Sequence, residues 1–396
     1  VRPSRVADLP KLEALEEYFD LFTGATGAAA IAVKDAKLSS GLQKTYLLET
    51  VGDLVGLGDL SGIFARSSLR AEPIGDGLSG FALFSAAGIR CAIVEKIAPR
   101  YLALYTLLPS QESDKLVKTA VAANPYLDHL WLSSQSFRAL WNHVRETNSG
   151  RRYGKITFEH ESIFQIDVNI AAEDSFEDER RASRFTMVDR LDVIEQQLAP
   201  LQESYAPLAS ITHLRIPAAG RGGHDLYVDG KVTNRSDSFL DHRSALLDIV
   251  RMYSGLTSNL ESQLWVRGQE AEEYGGLSGA VAELVFSSPL SQPTFNRWML
   301  SLWNNRRNRF RLAGYPTWSG PNRVQASVID QHLWQPLVME FTTSRIFAII
   351  PEGTCGNTIN RLVSNVQRFI DPQVEAFVGG VSYASLIPAL SGEQVG

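Results

Sequence analysis

Cysteine is almost missing: the 396-residue chain has two, Cys91 and Cys355, far apart and at no metal-ligand spacing. A disulfide framework and a zinc finger are thereby excluded, and the cytoplasm is the expected compartment. Long apolar runs are missing as well. The longest, residues 27–33 and 347–351, fall far short of the ~18 residues that cross a bilayer, so no membrane partner is expected. The opening Val1-Arg2-Pro3-Ser4 leads straight into an amphipathic pattern with no apolar signal core, which argues against export by a signal peptide. Lysine is scarce: nine of the 38 basic residues, none after Lys231, an arginine bias that a GC-rich genome would also produce. No nucleophile elbow, paired-histidine metal helix or dinucleotide-binding glycine fingerprint occurs, and no cofactor is implied.

What is present is an ordinary globular composition, 44% hydrophobic and 21% charged, in a chain long enough for two or three cores. The net charge of -6 excludes a general nucleic-acid coat but not a basic face on an acidic body.

The patterning predicts an α+β protein with an N-terminal helical cap over 1–76, an α+β domain over 77–172, a connecting helix over 173–206, a second α+β domain over 207–279 and a ferredoxin-like domain over 280–396. Leu12, Leu15, Phe19 and Phe22 recur at helical spacing, and residues 42–57 suggest a second helix. Three short runs, 81–84, 91–94 and 101–105, read as a meander of strands. Helices are expected over 113–123 and 136–146, with strands over 127–132 and 155–160. The acidic run 173–179 with Ser175 as cap, followed by Met187, Leu191, Ile194, Leu198 and Leu201, predicts a helix ending near Pro200. Asp229-Gly230 marks a hairpin, 240–253 a helix, and the polar, glycine-rich 269–279 a linker. The last hundred residues predict a strand at 281–286, a helix at 294–310, strands at 324–329 and 338–350, a helix at 357–370 and a strand at 374–378. That β-α-β-β-α-β order is the ferredoxin-like one.

The strongest departure from the average lies between Glu283 and Asp330, where no acidic residue occurs while Arg297, Arg306, Arg307, Arg309, Arg311 and Arg323 do. Trp298, Met299, Leu302 and Trp303 share a helical stripe and belong to a core. Tyr315 and Trp318 stand in a Gly/Pro-rich stretch, read as a loop that presents two rings beside the arginines. Planar cations next to exposed rings suit single-stranded RNA or DNA, or a nucleotide-like phosphorylated ligand. They equally suit a protein partner or self-association, because arginine and aromatics anchor interfaces. Gly353, Thr354, Gly356 and Asn357 form a strand-to-helix loop whose backbone N–H groups could meet an anion, with Arg361 and Arg368 extending a positive strip. The bland alternative is a helix capped by Thr354 or Asn357.

Three weaker constellations complete the inventory. His224, Asp225, Asp229, Asp241 and His242 could hold a metal for hydrolysis, although His224 and Asp225 alternate across a strand. Arg138 and His143, with four residues between them, resemble the arginine–histidine pair of HEPN-type ribonucleases, which would imply RNA cleavage. His160 stands between Glu159 and Glu161 on a strand and reads as structural. The expectation is therefore a non-catalytic binder of nucleic acid or a phosphorylated ligand, with an assembly protein and a metal-dependent hydrolase as alternatives.

Overall fold

The computed structural model describes residues 42–50, 69–73, 81–86, 89–161, 182–269, 275–304 and 309–390. It is a mixed α/β protein with antiparallel sheets, in two compact units that each take two stretches of chain: Val1–Leu130 with Leu214–Arg251, and Trp131–His213 with Met252–Gly396.

In the first unit the central strand is β1 (Lys44–Glu49), buried along its whole length. A helix is the sequence expectation here, and the strand corrects it. Thr45, Tyr46, Leu47 and Leu48 sit between β5 (Tyr101–Thr106) and β11 (Lys231–Asn234), paired antiparallel to both. A strand buried on both faces need not alternate, and here Tyr46, Leu47 and Leu48 stand side by side, so its period misleads. The rest of that expected helix and the one expected from Leu9 lie outside the described residues. β2 (Leu69–Pro73), β3 (Phe81–Ala86) and β4 (Ile89–Ala98) form the anticipated meander with β5. On the other side β11 pairs with β10 (Gly223–Tyr227). Between these two strands Gly230 has φ +73°, and a Cβ there would lie 2.9 Å from the Leu130 Cβ, so the turn requires glycine. Helix α1 (Ser110–Ala123) lays Val117, Ala120 and Val121 on Tyr46, Leu48, Leu102 and Leu104. Short β6 (Asp128–His129) pairs with the end of β1.

In the second unit, α2 (Ser134–Thr147) starts at Ser133, whose hydroxyl accepts the Ser136 N–H at 3.1 Å. β7 (Tyr153–Glu161) pairs with β8 (Ala182–Arg190), and only then does α3 (Leu191–Ser204) begin. The expected helix through Met187 is thus corrected: Met187 faces Ile156 across a ladder, which outweighs its helical spacing. The acidic run with Ser175 lies outside the described residues. β9 (Ile211–Pro217) and α4 (Phe239–Leu264) each contain a boundary between the units. The expected 269–279 linker contains a ribbon of β12 (Arg267–Gln269) and β13 (Gly276–Ser278).

The unit's main sheet contains β14 (Ala282–Val285), β15 (Leu312–Gly320), β16 (Arg323–Asp330), β17 (Gln335–Thr342), β18 (Arg345–Ile349), β19 (Glu375–Val378) and β20 (Val381–Ser382). Their order is β15-β16-β17-β18-β14-β19-β20, antiparallel throughout. Two departures from the expected six elements stand out: the loop expected around Tyr315 and Trp318 is strand β15, and the single strand expected over 338–350 is a hairpin of β17 and β18. Helices α5 (Gln292–Asn304) and α6 (Asn357–Phe369), with the end of α4, bury Trp298, Leu302, Leu362, Val366 and Leu260 against one face of this sheet. Alternate residues of the same strands point away from that core.

Candidate functional site

Among the described residues, Arg309, Arg311 and Arg323 of the acid-free window do not form one cationic surface. Arg306 and Arg307 lie outside the described residues. Arg309 is half-exposed, with its guanidinium 4.6 Å from the Phe369 ring centre and 3.9 Å from a Glu161 oxygen. Arg368 flanks the same ring at 5.1 Å and pairs with Glu159 at 2.7 Å and Glu161 at 3.6 Å. Two cations thus meet two carboxylates of β7. Arg311 is buried at φ +52°, its guanidinium directed to the Gln331 carbonyl at 3.4 Å. Arg323 pairs with Glu340 at 2.6 Å.

Arg361 is fully buried, not part of an exposed strip. Its Nη2 lies 2.5 Å from Asp330 Oδ1, and its Nε donates to the Phe310 carbonyl at 2.8 Å. Asp330 also accepts from the Thr358 hydroxyl and from the His332 N–H. A 3.6-residue period can show that Arg361 and Arg368 share a face; it cannot show that the face looks inward. No acidic residue neighbours Arg361 in sequence, and its partner arrives from β16.

The anion loop is also occupied from within. The Gly356 N–H donates to Glu261 Oε1 at 2.9 Å, so a carboxylate of α4 already meets the positive end of α6. Gly353 takes φ +88° in the exposed turn. Thr354 is buried, with its carbonyl accepting from Trp265 Nε1 at 2.7 Å. The Asn357 amide oxygen accepts from the Tyr253 hydroxyl. Neither Thr354 nor Asn357 caps the helix: Gly356 is the capping position and no side chain bonds there.

Tyr315 and Trp318 remain in solvent, 87% and 43% exposed, with Trp318 edge-on to Phe295 at 5.8 Å. The strand register places Tyr315 opposite Ser327, Ser327 opposite Val338, and Val338 opposite Ile349. This row crosses four strands on the face away from the helices, and Val338 is 56% exposed. A second row, Ala313, Ile329 and Pro336, runs beside it. At its end Leu333 and Trp334 both take positive φ, +66° and +55°, as the last two of the four residues that connect β16 to β17. The left-handed region favours Gly and Asn, and holding Leu and Trp there costs about 1–2 kcal/mol per residue. Trp334 is nevertheless 62% exposed. On the other side of the row lie the ion pairs Arg323–Glu340 and Arg345–Glu283. Sequence reasoning missed this surface because a single strand over 338–350 does not show which residues stand opposite Tyr315 until the register is known.

The five residues proposed for a metal divide. Asp225 is held by Arg215 at 2.7 Å and by Arg235, and Asp229 accepts the Lys231 N–H at 3.4 Å in the turn. His224, Asp241 and His242 do converge, in a buried chain of hydrogen bonds. His224 Nε2 meets Asp241 at 3.2 Å, the two Nδ1 atoms are 3.2 Å apart, and His242 Nε2 meets the Thr45 hydroxyl at 2.8 Å. With Asp241 ionised, the bonds assign the protons: Thr45 donates to His242, His242 Nδ1–H to His224, and His224 Nε2–H to the carboxylate. Burial, then the neighbouring His224, hold His242 well below the usual histidine range. Among the described residues no three His, Cys, Asp or Glu side chains converge on a metal position. Arg138 donates to Gln202 at 3.2 Å, and burial lowers His160.

The fold and this surface define an α/β protein with an antiparallel sheet covered by helices on one face and open on the other. Residues 94–383 match the family described as MJECL33-like protein, and the chain belongs to that family. It is 22% identical over 306 residues to "Uncharacterized protein MJECL33" of Methanocaldococcus jannaschii, covering 69% of this chain and 73% of that one. No solved structure matches. Among the described residues no helix is long and apolar enough to cross a membrane.

Proposed function

We propose that the protein is a structural, self-associating component whose open sheet face docks against the same face of a second copy. The observation that carries this is the exposed row Tyr315, Ser327, Val338 and Ile349, apolar but for the serine, beside a connection that holds Trp334 in water. Monomeric proteins rarely keep contiguous apolar patches exposed, and backbone strain persists where something else benefits. The second copy is favoured by charge. Arg323 and Arg345 lie on the same sheet as Glu340 and Glu283, so a two-fold contact can place each sign opposite its complement. Nucleic acid is less well matched, since Arg309, Arg323 and Arg368 each stand beside a carboxylate, which leaves less positive field for a polyanion.

We read the inner strands β17-β18-β14-β19, with α5 following β14 and α6 following β18, as a ferredoxin-like split β-α-β core that carries an added β15–β16 hairpin. The strand order supports this reading.

Light scattering and sedimentation over a wide concentration range test the association. The wild type should form a defined dimer free of nucleic acid, and Val338→Glu should weaken it by about 30-fold or more, as for a central interface residue. A wild type that stays monomeric, or a dimer indifferent to Val338→Glu and Tyr315→Ser, would refute the proposal. Binding of single-stranded RNA by a monomer would support the nucleic-acid reading in its place.

A further inference from the structure

The first unit holds a cluster of cations that sheet docking does not use. On β1, Lys44 stands opposite Thr233, which stands opposite Asp225, while Tyr46 stands opposite Lys231. Alternation therefore puts Lys44, Tyr46, Lys231 and Asp225 on one face of the sheet. Lys231 pairs with Asp114 at 2.7 Å and lies 5.6 Å and 5.7 Å from the Tyr46 and Tyr227 rings. Asp114 also accepts from the Tyr46 hydroxyl at 2.5 Å. Arg215 and Arg235 share the single carboxylate of Asp225.

Lys44 has no such partner. It is 3% exposed, its ammonium donates to the Leu42 and Leu108 carbonyls at 3.0 Å and 2.8 Å, and it makes no ion pair among the described residues. Four cations thus face Asp114, Asp225 and, at the turn, Asp229, and Lys44 is the one left over. A buried charge without a counter-charge is costly. The consequence is visible in the amine itself, which is lowered to about 8 by burial, by Lys231 and by Arg235, with Asp114 opposing. Nothing comparable is needed for packing, since a Met or Leu would fill the same place without the charge.

We propose that Lys44 and Lys231, with half-exposed Arg235 at the entrance, hold a small oxyanion: the carboxylate or phosphate group of a ligand. The anion supplies the missing counter-charge, and the Tyr46 and Tyr227 rings both lie within reach of the Lys231 ammonium. Leu108, whose carbonyl holds Lys44, lies two residues before the start of α1, whose capping position Pro109 has no side-chain bond. The positive end of that helix adds to the attraction for an anion.

The test uses the intact protein. The rate of amine acylation at Lys44, followed by peptide mass spectrometry across pH, should have its midpoint near 8 in a chloride buffer. Added phosphate or acetate should move that midpoint upward by about one unit and slow the labelling; the arm that responds identifies the group. In Lys231→Met the midpoint should begin higher, because one neighbouring cation is gone, and the effect of the anion should shrink. Thermal unfolding gives the second readout: the responding anion should raise the melting temperature of the wild type and not that of Lys44→Gln. If neither anion shifts the labelling midpoint, and neither stabilises the wild type more than Lys44→Gln, the site does not exist.

Discussion

Replacing Arg361 by Met removes the only guanidinium that reaches Asp330 in the described ion pairs while keeping most of the buried volume. The two side chains are 1% and 0% exposed, and their nitrogen and oxygen are 2.5 Å apart. After the change Asp330 keeps the Thr358 hydroxyl and the His332 N–H but faces no cation in an interior that water does not reach. Breaking one side of a buried pair costs about 3–5 kcal/mol, and the Phe310 carbonyl, which loses its donor at 2.8 Å, adds about 1 kcal/mol. A loss of about 4–6 kcal/mol is a large part of the 5–15 kcal/mol that holds a typical domain together. Urea titration followed by tryptophan fluorescence reads it, since Trp298 is fully buried in the same core. Asp330→Asn on top of Arg361→Met should restore part of the loss, with a coupling of at least about 1 kcal/mol. If Arg361→Met costs under about 1 kcal/mol, the guanidinium is solvated, and the assignment of Arg361 to the core is wrong.

His242 sets a pH dependence. Its folded value lies below the ordinary histidine value near 6.5, so the unfolded chain binds the proton more readily. Stability is full above that value and falls as pH drops below it, by up to ~1.4 kcal/mol per pH unit. His242→Gln should remove about one proton's worth of that slope; an unchanged slope would count against the buried relay. Glu261→Ala leaves the Gly356 N–H without its acceptor and should cost about 2 kcal/mol, with Glu261→Gln costing less than half of that; equal losses in urea titration would argue against this hydrogen bond. Leu333→Asn combined with Trp334→Gly places residues that tolerate the left-handed region at the two positive-φ positions of the β16–β17 connection. It should stabilise the monomer by about 1–2 kcal/mol while weakening self-association by light scattering. A destabilised double variant would show that the turn carries no strain.

Short segments were legible where turn residues punctuate them or where helical spacing is sustained. The meander from Phe81 to Thr106, helix α6 and the glycine turn at Gly230 follow from alternation, helical spacing and a dipeptide. The same rules misread β1, because a strand buried on both faces has no alternation to show, and they misread Met187, whose partner Ile156 lies across a hairpin. The candidate site divides in the same way. The sequence alone determined that the window from Glu283 to Asp330 holds no acid and that Tyr315 and Trp318 sit beyond its helix. Only the tertiary structure decided where those charges go: Glu159 and Glu161 reach Arg368, Glu261 meets the end of α6, and Glu340 takes Arg323. Ion pairing and cross-strand rows depend on distance in space, and the partners are up to 209 residues apart along the chain. A local run of one sign therefore reports composition; whether it is a charged surface depends on which distant side chains the fold brings to it.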